Sequence, residues 1–203
     1  MNDIKLEDMS DTYFDVLKEI GNIGAGNATT ALSQMLNTKV DMKVPKVRLM
    51  EFKEVGTTMG GEEQIVAGIY LCVSGDISGS IMFMQKESSA RTMVSKLMGM
   101  ECTGEKMSDI ELSALKELGN IIAGAYLNSI STLTNLTIYP SVPDLCIDMA
   151  GAILSVPAIE FGTIGDKMLL IQTDFTDDED LSGYFILVPD EESYAKILSA
   201  LGF

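Results

Sequence analysis

The sequence predicts an α+β fold, sandwich-like in its layering. An α-β-β-β-α unit is duplicated within one chain, giving a mainly antiparallel sheet covered by two long helices under pseudo-two-fold symmetry. Three observations lead there. The segment Leu17-Lys18-Glu19-Ile20-Gly21-Asn22-Ile23-Gly24-Ala25-Gly26 returns as Leu115-Lys116-Glu117-Leu118-Gly119-Asn120-Ile121-Ile122-Ala123-Gly124 at an offset of 98 residues, with eight of ten positions identical. Helical and strand-like periodicities follow each copy in the same order. A hydrophobic content of 46% against 22% charged residues describes a chain that folds around a core. At 203 residues it reads as a single domain, 1–203, made of two repeats spanning about 10–99 and 108–203.

Each element has its own signal. Ser10-Asp11 is a plausible N-cap, and apolar residues at spacings of three and four then run from Phe14 to Met35, with Asn37-Thr38-Lys39 as the stop. The second long helix opens at Ser108, with Glu111 three residues on as a capping box, and closes at Asn135. Extended segments follow at 40–45 and 138–143. Residues 64–73 and 77–84 form two strands around the turn signal Ser74-Gly75-Asp76, and 167–173 and 182–188 are their counterparts. Short helices, each ending in a Gly suited to a left-handed cap, complete the units at 87–99 and 191–202, with 99–106 as linker. The acidic run from 174 to 180 reads as a solvated loop. Residues 144–155 have no clean partner in the first unit and fit a strand, a short helix, or one leading into the other. Asp148 there reads either as a capping or turn residue or as an exposed contact.

Composition narrows the chemistry. A net charge of −16 disfavours nucleic acid and anionic membranes as partners. No apolar run approaches the ~18 residues of a membrane span, and the acidic start lacks a secretory signal, so a cytoplasmic protein without membrane insertion is expected. The three cysteines are widely spaced and indicate neither a disulfide framework nor a zinc site. The chain has no His, which removes Ser-His-Asp and Cys-His mechanisms. No metal of its own is expected.

The duplicated Gly residues suggest close approach of a neighbouring backbone, because Gly in a helix interior loses roughly 0.8–1.0 kcal/mol relative to Ala. The duplicated Glu and Asn need another reason. Residues three apart share a helix face, so Glu19 and Asn22 point together, as do Glu117 and Asn120, with Asp15 and Ser113 one turn earlier. The apolar stripes lie opposite, which turns these groups toward water or a partner. A carboxamide donates and accepts hydrogen bonds at once, and it can hold a water in line with an electrophile, as a Gln does in GTPases. A neighbouring carboxylate would grip a cation on the partner.

The pattern Asp15…Glu19…Asn22…Gly26 and Ser113…Glu117…Asn120…Gly124 resembles the CheC/CheX/FliY family of CheY-phosphate phosphatases of bacterial chemotaxis, over essentially the whole chain. Residues 18–26, 75–80 and 139–143 look most like the CheC branch. The resemblance implies hydrolysis of the aspartyl phosphate of phosphorylated CheY, with Mg2+ supplied by the bound response regulator. Asn22 and Asn120 would orient the attacking water, Glu19 and Glu117 would contact the regulator's active-site Lys, and Asp15, Ser113, Gly26 and Gly124 would support them. Ile122 in place of Gly24 departs from the repeat. The resemblance also implies CheD, a receptor deamidase, as a partner, with Asp148 and Met149 as candidate contacts. The alternative is a non-catalytic protein that binds and regulates CheD or acts as a flagellar-switch scaffold.

Overall fold

A computed structural model of the chain describes residues 11–42, 46–161, 167–176 and 180–202. In chain order these form α1 (Asp11–Leu36), β1 (Asp41–Met42), β2 (Lys46–Glu51), α2 (Phe52–Thr58), β3 (Ile65–Gly75), β4 (Gly79–Lys86) and α3 (Glu87–Met98). There follow α4 (Asp109–Thr134), β5 (Ile138–Pro140), β6 (Asp144–Met149), α5 (Ala150–Phe161), β7 (Lys167–Thr176), β8 (Asp180–Pro189) and α6 (Glu191–Ala200).

The local signals act where the sequence places them. Asn37 and Asn135 adopt left-handed φ values of 48° and 55° and end the two long helices. Gly99 does the same for α3, at φ 67°. Ser108 and Glu111 form a reciprocal capping box at the start of α4. Ser10, the expected cap of α1, lies outside the described residues. At the β3–β4 turn Gly75 has φ 117°, and a Cβ there would run into the carbonyl oxygen of Thr137. Asp76 fastens the same turn: its N–H donates to Thr137 O at 2.9 Å, and its carboxylate accepts from Thr137 N at 2.7 Å.

One eight-stranded sheet carries the molecule, in the order β1-β7-β8-β4-β3-β5, with β2 also on β7 and β6 also on β3. Among the described residues every strand pairing is antiparallel. The two halves exchange strands: β2 of the first half pairs with β7, Lys46 opposite Gln172, and β6 of the second pairs with β3, Val66 opposite Asp148. The halves meet through β4 and β8 and are interlocked by these exchanged strands. The same pairings correct one expectation. Residues 144–155 do have a counterpart, because β2 and β6 are both six residues long and lie 98 positions apart, each followed by a helix. The segment is a strand leading into a helix. The ends of the acidic run are strand and not loop, since β7 continues to Thr176 and β8 begins at Asp180; residues 177–179 lie outside the described residues.

Alternation along the central strands sorts the core into two layers. Ile69, Leu71, Phe83 and Phe185 face the layer containing Leu32 of α1 and Leu118 and Tyr126 of α4. Val66, Met82, Met84 and Ile186 face the layer built on Val55 of α2 and Ile153 and Leu154 of α5. Helices thus cover both faces, the long pair on one and a shorter pair on the other.

Candidate functional site

The two motif helices pack against each other, and a few side chains set their contact. Tyr126, buried, donates its hydroxyl to the Gly21 carbonyl at 3.2 Å. Its ring rests on Gly24, where an added Cβ would sit 2.7 Å from a ring carbon, and lies 4.0 Å between centroids from Phe185. Asn27 Nδ2 donates to Ser129 Oγ at 3.0 Å across the same seam. At the offset of 98, Gly24 corresponds to Ile122 and Tyr126 to Ala28, and both Ile122 and Ala28 are completely buried. A small–large pair on one side thus answers a large–small pair on the other, so the substitution of Ile for Gly is a packing exchange.

Gly119 is fixed by the sheet, since a Cβ there would collide with the Ile69 side chain. The neighbours that demand Gly24 and Gly119 are side chains and not a backbone, which corrects the expectation. Gly26 and Gly124 differ again, because a Cβ on either would meet nothing within 4 Å among the described residues.

The outward faces carry the polar motif. Asp15, Glu19, Ser113 and Glu117 are exposed, and Asn22 and Asn120 are half-buried. Among the described residues no hydrogen-bond or ion-pair partner is found for Glu19, Asn22, Glu117 or Asn120. Polar neighbours on the same helices are consumed internally: Asn27 by Ser129, Thr29 by the Ala25 carbonyl, Ser33 by Val40. Among the described residues the Glu/Asn groups have no such internal use. Asp148 and Met149 lie elsewhere, at the end of β6, both exposed, with the Asp148 carboxylate accepting from Met149 N at 2.7 Å. Asp148 is thus an exposed residue bonded locally at the end of its strand.

One turn before the second Glu/Asn pair lies a groove of about 760 Å³, lined by Ser113 and Lys116 of α4, Arg91 of α3, Lys106 of the linker, and Leu145 and Ile147 of β6. Sequence reasoning missed Arg91. Its guanidinium pairs with Glu87 and donates to the carbonyls of Gly104 at 2.9 Å and Glu105 at 3.0 Å, which holds the linker as a wall of the groove. The Glu87-to-Arg91 spacing of four was the available signal.

Close by, hydrogen bonds from the Cys102 thiol and from the Ser108 backbone and hydroxyl, together with the charge of Arg91, pull the Glu111 carboxyl from its ordinary 4.5 down to about 2. A carboxyl with a depressed folded pKa stabilises fully above its unfolded value and loses that contribution as pH falls through the folded one. The thermal midpoint is therefore expected to drop between pH 4.5 and 2, with Glu111→Gln flattening that stretch of the profile. An identical acid limb in the variant would rule the contribution out.

Among the described residues no group of three or more His, Cys, Asp or Glu is placed to hold a metal ion, and no helix is long and apolar enough to cross a membrane.

The model of the CheC-like family matches residues 15–48 and 110–147, which include both Glu/Asn pairs. The Bacillus subtilis CheY-P phosphatase CheC is 38% identical over 209 aligned residues, covering 99% of this chain and 97% of that protein. Among solved structures, Thermotoga maritima FliY aligns with a TM-score of 0.76 at 21% identity, covering 95% of this chain and 97% of that one. CheX in the CheX–CheY–BeF3–Mg2+ complex of Borrelia burgdorferi aligns at 0.53 and 18%, covering 82% and 96%. With full-length identity at this level and a family model that matches both motif helices, the chain belongs to the CheC-like family.

Proposed function

We propose that this chain is a phosphatase for the aspartyl phosphate of CheY, working through two equivalent Glu/Asn sites on one domain of two repeats. The observation that carries the reading is that Glu19 with Asn22, and Glu117 with Asn120, stand on outward helix faces without a partner among the described residues. Full-length similarity to a CheY-P phosphatase supports it, as does a fold relative, CheX, known in complex with CheY.

In this mechanism the chain supplies position. The Asn carboxamide accepts from a water with its oxygen and steadies it with its N–H, in line with the phosphorus. The water oxygen forms the new P–O bond, the bond to the aspartyl oxygen breaks, and the Asp leaves as a carboxylate while both protons of the water depart on the phosphate, as dihydrogen phosphate. The Glu carboxylate engages the regulator's active-site Lys and fixes the docking register. Asp15 and Ser113, one turn earlier, border the same contact. Mg2+ is brought by the regulator and neutralises charge on the phosphoryl oxygens. The test is the rate of acyl-phosphate loss from phosphorylated CheY with Mg2+, with and without the chain. An unchanged rate would sink the reading.

The exposed end of β6 favours a second role, binding of CheD through Asp148 and Met149. Among the described residues β6 pairs only with β3, which leaves its other edge open. Asp148→Lys is expected to reduce CheD capture in a pull-down at least tenfold and to leave dephosphorylation unchanged. Equal capture would remove this surface from consideration.

A further inference from the structure

Among the described residues nothing inside the chain requires Gly26 or Gly124. Neither is among the residues with positive φ, and a Cβ on either would meet nothing within 4 Å, so both the backbone and the surroundings accept Ala. A helix-interior Gly is weaker than Ala at such a site, and here the weakness occurs twice at the same offset. The compensating contact must come from outside.

Its place on the helix says what kind of contact. At 100° per residue, Lys18, Asn22, Gly26 and Glu19 fall within an arc of about 100°. Gly26 lies one turn beyond Asn22, and the set recurs as Lys116, Asn120, Gly124 and Glu117. Lys18 is exposed and Lys116 half-buried, and among the described residues neither has an ion-pair partner. In a chain of net charge −16, an unpaired cation beside each Asn offsets the repulsion that an anionic partner meets elsewhere.

We infer that Gly26 and Gly124 determine specificity for the reaction: each leaves the helix surface bare so that the partner's main chain seats one turn beyond the Asn. The occupant is an anionic protein surface carrying the phosphoryl group, with Lys18 or Lys116 as its charge complement. The partner's identity as CheY rests on the reading proposed above.

The experiment compares wild type with Gly26→Ala/Gly124→Ala and Gly26→Leu/Gly124→Leu. It measures thermal midpoint, affinity for CheY loaded with BeF3 and Mg2+, and the KM and kcat of dephosphorylation. Both variants are expected to hold or raise the thermal midpoint. The Leu variant should bind at least tenfold more weakly and raise KM more than it lowers kcat, with Ala intermediate. Unchanged affinity and KM in a folded Leu variant would overturn the seat. If the Leu variant unfolds, unchanged affinity in the Ala variant does so. Wild type that binds loaded CheY without hastening phosphate loss, while the Leu variant fails to bind, would remove the phosphatase reading and keep the seat. Absence of binding by wild type overturns both.

Discussion

The Asn22→Ala/Asn120→Ala variant is expected to lose nearly all of the acceleration of CheY dephosphorylation while keeping its fold. Loss of one preorganised contact to the attacking water typically removes about 10- to 1000-fold in rate, on the order of 1.4–4 kcal/mol of barrier. With two sites the single variants matter as much as the double one. If the sites are equal, each single variant retains about half of the turnover. A strong imbalance would assign the work to one helix. The fold should not suffer, because neither carboxamide has a hydrogen-bond partner among the described residues. Matching circular dichroism spectra and thermal midpoints are part of the result. Retained activity in the double variant would overturn the assigned role of Asn.

The largest expected effect on stability is at Tyr126. Truncation to Ala removes a fully buried ring at the α1–α4 seam, its contact with Phe185, and the hydroxyl's hydrogen bond to the Gly21 carbonyl. A loss of about 3–5 kcal/mol follows for an aromatic core truncation. At roughly 2–4 °C per kcal/mol for a chain of this size, the thermal midpoint should fall by some 6–20 °C. Tyr126→Phe isolates the hydroxyl and should lose about 0.5–1.5 kcal/mol. The seam supplies its own control. Gly24→Ile alone overpacks against the ring, yet combined with Tyr126→Ala it recreates the pair that Ile122 and Ala28 present on the other side. The double variant is therefore expected to be more stable than the sum of the single losses, a coupling that direct neighbours show. Strict additivity would mean that the two positions do not share a space.

Much of this architecture is legible in the residues, and what escapes has a physical reason. The long helices and their ends were readable because Asn37, Asn135 and Gly99 sit where a left-handed residue must, and because Ser108 and Glu111 form a box whose spacing is itself the signal. The strand β2 was hidden. Lys46-Val47-Arg48-Leu49-Met50-Glu51 shares no identity with Asp144-Leu145-Cys146-Ile147-Asp148-Met149, and what survives is apolar character at alternate positions, Val47 with Leu145 and Leu49 with Ile147. Hydropathy compared at the offset of 98, in place of identity, would have found it. The exchange of strands was invisible for a different reason, since periodicity reports which residues share a face and not which edge a strand joins. The Glu/Asn faces were readable because polar groups rarely repeat without cause. Arg91 escaped because its partners are backbone carbonyls, which carry no sequence label.

The exchange also sets an order of events during synthesis. β2 leaves the ribosome early, but its partner β7 is made more than a hundred residues later. Before the second half is made, the first holds β3 without β6, β4 without β8, and β1 and β2 without β7, open edges that invite pairing with any extended chain nearby. Contacts of such long sequence separation form slowly. Vectorial growth therefore cannot complete the first half before the second appears, and closure of the sheet waits for the chain to reach Pro189, the end of the strand that joins β7 to β4. Between those moments the nascent protein depends on the crowded cell leaving its edges alone.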